Sequence, residues 1–469
     1  MPRAGGNGDV GGSGGAGWPH ILLFLCDQMQ YGRQGRVDST ASTPNLDRLA
    51  DEGVFFTHMH AANGQCVPSR ASMQTGLYPH EAGVMIIYGF HGHTARLTGA
   101  LPTVGHVFRD AGYTTAYFGK AHFGASLECL GYQAGEEVPS AEKHGGLHSA
   151  TDRAIVDAAL ACLADHDPAS PLFLTVSLHQ PHPPFECVET FADRIPRDEI
   201  ELPRSFTEDD LADKPVFQRE HAADTKHGAH DPDLARDELF TYATMIAHVD
   251  SLFGEVRAAF ERKEMWDDTA AVFTSDHGDM MAAHRMRLKG TLPYDEIFRV
   301  PFILKQPATA SPPPRHTIDD LAVNVALPGT LIELAGLPLP PAFRGGSLLT
   351  TMRRDARSPS ETIFFEHYGA YWGLHPFRAI RTRDAQGGEW KLVRYYGPDE
   401  GERELYDLAG DPDEIHNRAG DPVLADVQAD LERRVDDWWK RTDGRSFAFY
   451  ESPAFKQSGA AAVMEGTRP

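Results

Sequence analysis

Five short stretches concentrate side chains able to hold a cation, bind an anion or act as a nucleophile. They are Cys26-Asp27-Gln28, Gly119-Lys120-Ala121-His122, His179-Gln180-Pro181-His182, Ser275-Asp276-His277-Gly278-Asp279 and Cys66-Val67-Pro68-Ser69-Arg70. All but the last follow directly on a short apolar run. In an open α/β sheet, ligands bind beyond the carboxyl ends of the strands, so strand-end clusters share one crevice. A single His or Asp after a strand is ordinarily a cap or a hydrogen-bonding residue. Four such clusters together point to a site. Asp27, Gln28, Asp276 and His277 offer oxygen donors and one imidazole, the ligand set of a divalent cation such as Ca²⁺, Mg²⁺ or Mn²⁺ and less that of zinc. Lys120, His122, His182 and Lys289 add positive or proton-carrying groups that suit an anionic substrate whose charge grows in the transition state. Pro68 is tolerated in a first helical turn and Thr75-Gly76 stops a helix, so Cys66 is expected at a helix N-terminus, where backbone amides favour an anion and activate a thiol. Alone, that segment reads as a buried structural Cys beside an Arg.

The elements that must position these clusters are legible in the hydrophobic pattern. Apolar runs at His20–Leu25, Thr114–Phe118, Leu172–Leu178, Ala270–Thr274 and Val300–Leu304 have the length and composition of buried parallel strands. Helical periodicity recurs between them at Pro44–Glu52, Thr103–Ala111, Asp152–Ala164, Asp237–Phe260 and Pro328–Leu334. This alternation predicts an α/β domain over 19–350, with a large mixed, mostly parallel sheet flanked by helices. Shorter segments at Thr362–Glu366, Phe377–Arg381, Trp390–Tyr395 and Glu404–Asp407, followed by an amphipathic stretch at Pro422–Arg441, predict a smaller α+β domain over 351–442. It would be an antiparallel sheet with a covering helix. Residues 1–18 read as a Gly-rich flexible leader, and 443–469 as an irregular tail suited to contact a second copy in a homo-oligomer. The polar stretch Ser205–Asp237 reads as a lid or solvated insertion. His179, His227, His230, His248, His284 and Arg285 read as surface residues.

Composition narrows the partners. The 469 residues are 41% apolar and 24% charged, which is globular rather than disordered. Against 67 Asp and Glu there are 44 Lys and Arg, and the net charge of −23 disfavours nucleic acid. No run of 18 apolar residues occurs, so no membrane span is expected. The five cysteines, Cys26, Cys66, Cys129, Cys162 and Cys187, lack disulfide or metal-knuckle spacing, which favours a reducing, cytoplasmic setting.

Cys66-x-Pro68-Ser69-Arg70 resembles the signature of the sulfatase family, in which that Cys is oxidised to formylglycine. The resemblance extends along the chain through Ile21–Gln28, Thr43-Pro44-Asn45-Leu46-Asp47-Arg48-Leu49-Ala50, Gly119-Lys120-x-His122-x-Gly124, Pro181-His182-x-Pro184, Ser275-Asp276-His277-Gly278, Lys289-Gly290, Arg299-Val300-Pro301 and Glu404-Leu405-Tyr406-Asp407-Leu408. It implies an alkaline phosphatase-like fold and hydrolysis of a small anionic sulfate ester. It also implies a cation, Ca²⁺ foremost with Mn²⁺ or Mg²⁺ as alternatives, held by Asp27, Gln28, Asp276, His277 and residue 66, and maturation by a formylglycine-generating enzyme. By the same resemblance Arg70 orients the hydrated aldehyde, Lys120 and Lys289 bind sulfate oxygens, His182 or Lys289 serves the leaving alcohol, and His122 takes up the second hydroxyl's proton. Asp27-Gln28 and Asp276-His277 depart from the commoner Asp-Asp and Asp-Asn pairs and resemble the choline sulfatase and phosphonate monoester hydrolase branches. Gln28 in place of a carboxylate lowers Ca²⁺ preference in favour of Mn²⁺. The alternatives are a phosphonate monoester or phosphodiester hydrolase on the same scaffold and a silent metal-binding protein in which Cys66 stays a thiol. Substrate choice is expected from Ser205–Asp237, Gly83–Arg96 and His367–His375.

Overall fold

A computed structural model of the chain describes residues 18–139, 147–311, 313–358, 361–459 and 461, so the expected leader lies almost wholly outside the described residues. The larger sheet contains β1 (His20–Cys26), β2 (Val54–His60), β3 (Thr114–Gly119), β4 (Ala134–Glu137), β5 (Leu172–Ser177), β6 (Thr269–Ser275), β7 (Arg299–Lys305), β8 (Thr317–Ile318) and β9 (Ala322–Val323). Its order is β4-β3-β5-β1-β6-β7-β2-β8, with β9 also paired to β2. From β4 to β6 every pairing is parallel, and β7 runs antiparallel to both neighbours. The ends of β3, β5, β1 and β6 therefore lie side by side, as the strand-end clusters require.

Period-two alternation divides the core. Ile21, Leu23 and Leu25 of β1 face a layer built on the helices Cys66–Thr75, Val104–Asp110 and Leu327–Leu334. Leu22, Phe24 and Cys26 face the helices Pro44–Glu52, His148–Asp165 and Pro232–Arg262. Fully buried strands give no alternating pattern, which is why β1, β5 and β6 read as continuous apolar runs. Four strands are additional to those runs: β2, whose Thr57 and His58 interrupt it, β4, an exposed Ala-Gly-Glu-Glu edge, and the two-residue strands β8 and β9.

The second sheet, β10 (Glu361–His367), β11 (Phe377–Arg383), β12 (Glu389–Tyr395) and β13 (Arg403–Asp407), is antiparallel throughout. One face carries Ile380, Leu392 and Leu405 against Leu431 and Val435 of the covering helix Ala425–Arg441. The other carries Phe365, Phe377, Val393 and Tyr395 against Leu292, Tyr294, Ile297 and Phe298 of the β6–β7 connection, the segment that also contains Lys289.

Three expectations are corrected. Ser205–Asp237 is exposed over much of its length, as a solvated insertion is, but it is anchored rather than loose: helices form at Arg204–Glu208 and Val216–Ala223, and buried Gln218 donates to Glu404 (2.8 Å) while accepting from Tyr294 (2.5 Å). Its buried polar residues find partners across the chain, which a periodicity reading cannot register. Over its described residues the tail is helical rather than irregular, and helices Phe447–Tyr450 and Pro453–Ser458 bury Tyr450 and Phe455 against Tyr368 and Trp439, while 460 and 462–469 lie outside the described residues. His284, His179 and His227 are buried rather than surface residues. His284 stacks on Tyr294 at 3.8 Å and pairs with Asp209 (2.6 Å), and His179 bonds the Val138 carbonyl (2.9 Å).

Candidate active site

Cys66 begins the helix Cys66–Thr75, which ends at Gly76 in the left-handed region (φ 66°) with the Gly76 N–H donating to the Ser72 carbonyl (2.8 Å). All ten helical residues are buried. Ser69 donates to the Asp276 carbonyl (2.6 Å) and accepts from Asn324 (2.9 Å), which ties the helix to the end of β6.

The geometry converges on Cys66 Sγ. His277 Nε2 lies at 3.1 Å, Lys120 Nζ at 3.8 Å and Asp27 Oδ1 at 3.9 Å. One ligand atom from each of Asp27, Cys66, Asp276 and His277 falls within 4.8 Å of the others. Two carboxylates, an imidazole and the residue-66 side chain around one point fit a divalent cation by chemistry as well as spacing.

Arg70 is fully buried and commits its guanidinium to this cluster. Nε meets Asp276 (2.6 Å), Nη2 meets Asp27 (3.2 Å), and Nη1 donates to the Lys120 carbonyl (2.7 Å) and Ser177 (2.8 Å). It thus braces the two carboxylates and makes no hydrogen bond to Cys66 itself. Lys120 pairs with Asp27. Burial raises the Asp27 carboxyl, but Lys120, His182, Arg70 and Lys289 outweigh it and hold the group well below the usual range. Burial and Asp27 likewise oppose ionisation of Cys66, whereas Lys120, Lys289 and His277 hold the thiol well below its ordinary value. The site is positive enough to stabilise an anion at position 66.

Gln28 occupies a left-handed position (φ 71°) with its N–H donated to Asp276 (3.1 Å). Its Oε1 accepts from Lys289, and its Nε2 donates to Asp279. Asp279 is itself fully buried, and its other oxygen accepts from the N–H groups of Met281 (2.8 Å) and Leu288 (3.0 Å). This carboxylate fixes which way the Gln28 amide points. The sequence places Asp279 in a strand-end cluster without assigning it a role. The available signal is the amide at position 28, whose NH₂ needs an acceptor that a carboxylate there would not.

His182 is half-buried, with Nδ1 bonded to the Pro183 carbonyl (2.6 Å). Burial, Lys289 and Lys120 hold it well below the usual His value. His122 stands slightly apart. Its ring meets Tyr88 edge-on at 5.8 Å, its backbone N–H donates to Glu137 (3.0 Å), and its Nδ1 is buried without a partner. No hydrogen bond joins it to Cys66, Asp27 or Lys120. A surface cavity of about 830 Å³ lined by Tyr31, Arg33, Glu199 and Arg299 contains none of the predicted site residues.

Comparisons with known proteins identify the family. The Sulfatase family model matches residues 19–337, and that of the N-sulphoglucosamine sulphohydrolase C-terminal region matches 286–441. The uncharacterized sulfatase YidJ of Escherichia coli K12 is 28% identical over 451 residues, covering 88% of this chain and 85% of the relative. A Δ4,5-hexuronate-2-O-sulfatase of Bacteroides thetaiotaomicron is 28% identical over 441 residues (90% and 89%). A choline-sulfatase of Rhizobium meliloti is 28% identical over 452 residues (87% and 83%). Among solved structures, a 2-O GAG sulfatase superposes with a TM-score of 0.72 at 25% identity, covering 90% of this chain and 92% of that one. The phosphonate monoester hydrolase of Agrobacterium radiobacter gives 0.74 at 21% identity (92% and 97%), a likeness of fold. The match from residue 19 to residue 337 shows that the chain belongs to the sulfatase family of sulfuric ester hydrolases.

Proposed function

We propose that the protein hydrolyses a sulfate ester with residue 66 in its formylglycine form, the thiol sulfur marking where the hydroxyls of the hydrated aldehyde sit. The observation that carries this is the convergence of His277, Lys120 and Asp27 on the side chain of a Cys at the N-terminus of a buried helix. Once formed, the hydrated aldehyde supplies one hydroxyl to attack sulfur in line and a second whose deprotonation expels the sulfate. A divalent cation held by Asp27, Gln28, Asp276 and His277 supplies charge that favours the ionised hydroxyl and the sulfate oxygens. We favour Ca²⁺ or Mn²⁺, since two carboxylates, an amide carbonyl and an imidazole suit either better than Zn²⁺.

The chain's own residues do the remainder. Arg70 holds Asp27 and Asp276 in place through its guanidinium and helps keep Asp27 ionised. Lys120 and Lys289, delivered by different strand ends, neutralise the sulfate oxygens. With Nδ1–H committed to the Pro183 carbonyl, His182 presents Nε2 as its basic nitrogen. It must gain a proton from the anionic complex before giving one to the leaving oxygen, and Lys289 is the alternative donor. His122, with its unpartnered Nδ1 beyond Lys120, is assigned the second hydroxyl's proton. Cys26, Cys129, Cys162 and Cys187, none of them in a disulfide, support a reducing compartment and hence a cytoplasmic location.

The test is peptide mass analysis of residue 66 after co-expression with a formylglycine-generating enzyme, coupled to rates on aryl sulfate and aryl phosphonate esters. Conversion of the thiol to the aldehyde with preferential sulfate ester hydrolysis is expected. A phosphonate rate higher by orders of magnitude would replace the reading with the hydrolase alternative. A retained thiol without turnover after co-expression would support the silent form.

A further inference from the structure

We infer that His148 is a positioning residue for His182: by holding the Pro183 carbonyl it fixes the ring and tautomer that serve the leaving alcohol. The inference rests on the sulfatase reading, in which His182 protonates the leaving oxygen, and deepens it.

The segment Gln180-Pro181-His182-Pro183-Pro184 has little with which to anchor itself. Three of its five residues are prolines without an N–H. The His182 N–H is spent inside the turn, on the His179 carbonyl (3.0 Å). Its fixed points must therefore come from outside, and the first turn of the helix His148–Asp165 supplies most of them. Fully buried Asp152 accepts from the His179 N–H with one oxygen (2.7 Å) and from the Gln180 N–H with the other (2.9 Å). Beyond the prolines, Glu186 accepts from the Ser149 N–H (2.5 Å) and hydroxyl (3.2 Å). The Gln180 amide is held between Glu186 (3.1 Å) and His248 (2.6 Å), and its carbonyl accepts from the Asp27 N–H (3.1 Å).

These contacts fix both ends of the segment without His148. What they leave open is the direction of the Pro183 carbonyl between them, and His148 addresses that atom. It lies one helical turn before Asp152 on the same face, is fully buried, and places Nε2 3.1 Å from the Pro183 oxygen. A carbonyl only accepts, so this nitrogen carries the hydrogen. The same oxygen accepts from His182 Nδ1 (2.6 Å), and two imidazole N–H groups thus use both of its lone pairs. The hydrogen bond made by one ring nitrogen sets the state of the other, so the direction of this carbonyl decides whether His182 keeps Nε2 for proton transfer. The His148 ring is itself held. It stacks on His179 with centroids 5.1 Å apart and planes 3° apart, and it meets His182 edge-on at 6.1 Å. His179 is fixed in turn by the Val138 carbonyl (2.9 Å).

Removing the His148 N–H lets the Pro183 carbonyl turn and the His182 ring with it, while the lysines assigned to the sulfate keep their places. The alcohol departs as sulfur is transferred to residue 66, so kcat/KM contains its protonation and the later release of sulfate does not enter. Phenoxide is a poorer leaving group than 4-nitrophenoxide and needs the proton more.

The test is the ratio of kcat/KM for phenyl sulfate to that for 4-nitrophenyl sulfate, measured on the aldehyde-bearing enzyme. General acid catalysis contributes about a hundredfold or more, so His182→Ala should lower the ratio about a hundredfold and His148→Leu about tenfold. His148→Gln, which keeps an N–H donor within reach of the carbonyl, should recover most of that loss. In the His182→Ala background His148→Leu should lower the ratio no further, because it acts through the ring already removed. Should His148→Leu not fold, His148→Asn, whose amide is too short to reach the Pro183 oxygen, carries the same expectation. A wild-type ratio in His148→Leu or His148→Asn, a further fall in the double variant, or a wild-type ratio in His182→Ala, which would assign the proton to Lys289, overturns the inference while leaving the sulfatase reading intact. Hydrolysis of no sulfate ester overturns both.

Discussion

The amide lock on Gln28 permits a sharp test of the metal site. Asp279 accepts from the Gln28 NH₂ with one oxygen and from two backbone N–H groups with the other. In Asp279→Asn the carbonyl oxygen keeps the two backbone donors, and the new NH₂ then faces the Gln28 NH₂. The Gln28 amide must flip, turning its NH₂ towards Lys289 and the cation position, or lose its partner. One charge-assisted hydrogen bond in a buried site corresponds to about 1.5–3 kcal/mol. At roughly 1.4 kcal/mol per decade this is a ten- to hundredfold weaker metal affinity. Gln28→Glu alone sets two carboxylates against each other. In the double variant the carboxylate introduced at position 28 accepts from the NH₂ introduced at position 279 and again turns an oxygen to the cation. The cycle, read by calorimetric titration of Mn²⁺ and Ca²⁺ into the chelator-treated protein, should therefore show a favourable coupling of about 2 kcal/mol between the two substitutions. The coupling removes the contribution of the added charge, which appears in both backgrounds. Additive effects, or metal binding by Asp279→Asn equal to wild type, would refute the lock.

Other outcomes follow from the same geometry. Arg70→Ala leaves Asp27 and Asp276 without their shared guanidinium, and loss of one partner from a buried ion pair costs about 3–5 kcal/mol. Urea unfolding without metal should show that loss and added Mn²⁺ should recover part of it, so an unchanged midpoint would sink the bracing role. Cys66→Ala should abolish turnover yet unfold within about 1 kcal/mol of wild type, since only a small buried group is removed; residual wild-type-like activity would exclude residue 66 as nucleophile. His80 is buried and bonded to Glu366 (2.7 Å). Burial opposes its protonation, but Glu366 and Glu81 prevail and raise its pKa above the usual 6.5. Its contribution to stability is therefore complete below about pH 6.5 and lost as pH rises through the raised value, with a slope of at most about 1.4 kcal/mol per pH unit. Stability measured from pH 6 to 9 should fall less steeply in His80→Gln than in wild type, and parallel profiles would count against the linkage.

What the sequence disclosed, and what it withheld, follows from the range of the interactions involved. Asp27, Asp276 and His277 could be grouped because strand ends in a parallel sheet share an edge, and that inference requires no contact to be known. Arg70 was legible as a neighbour of Cys66. Its allegiance to Asp27 and Asp276 was not, because it depends on which way a helix of ten buried residues faces the sheet. Asp279 and Gln28 are 251 positions apart, and nothing in either segment names the other. His284, surrounded in sequence by Arg and Ala, resembles a surface residue until Asp209 and Tyr294 are placed around it. Ser205–Asp237 is legible only in part for the same reason: Asp209 and Gln218 are buried against the β6–β7 connection and the second sheet, whereas many of its other polar residues face solvent.

The second sheet is accordingly part of the active site and not an appendage to it. Its inner face packs on Leu292, Tyr294, Ile297 and Phe298, and its β10–β11 connection lays Trp372 on Gly290. Both contacts hold the segment that delivers Lys289 to Gln28 and, through charge, to Asp27, His182 and Cys66. Asp295 locks the junction through Arg381, Lys391 (3.4 Å) and the Glu414 carboxylate that accepts its N–H (2.8 Å). Displacing the sheet would withdraw one of the two lysines proposed to bind the sulfate. A net charge of −23 is therefore no bar to an anion in this pocket, because Arg70 and Lys120 pair with Asp27 and Asp276 here, Lys289 stands beside them, and a bound cation would add to that balance. The positive pocket is local and is built jointly by both sheets.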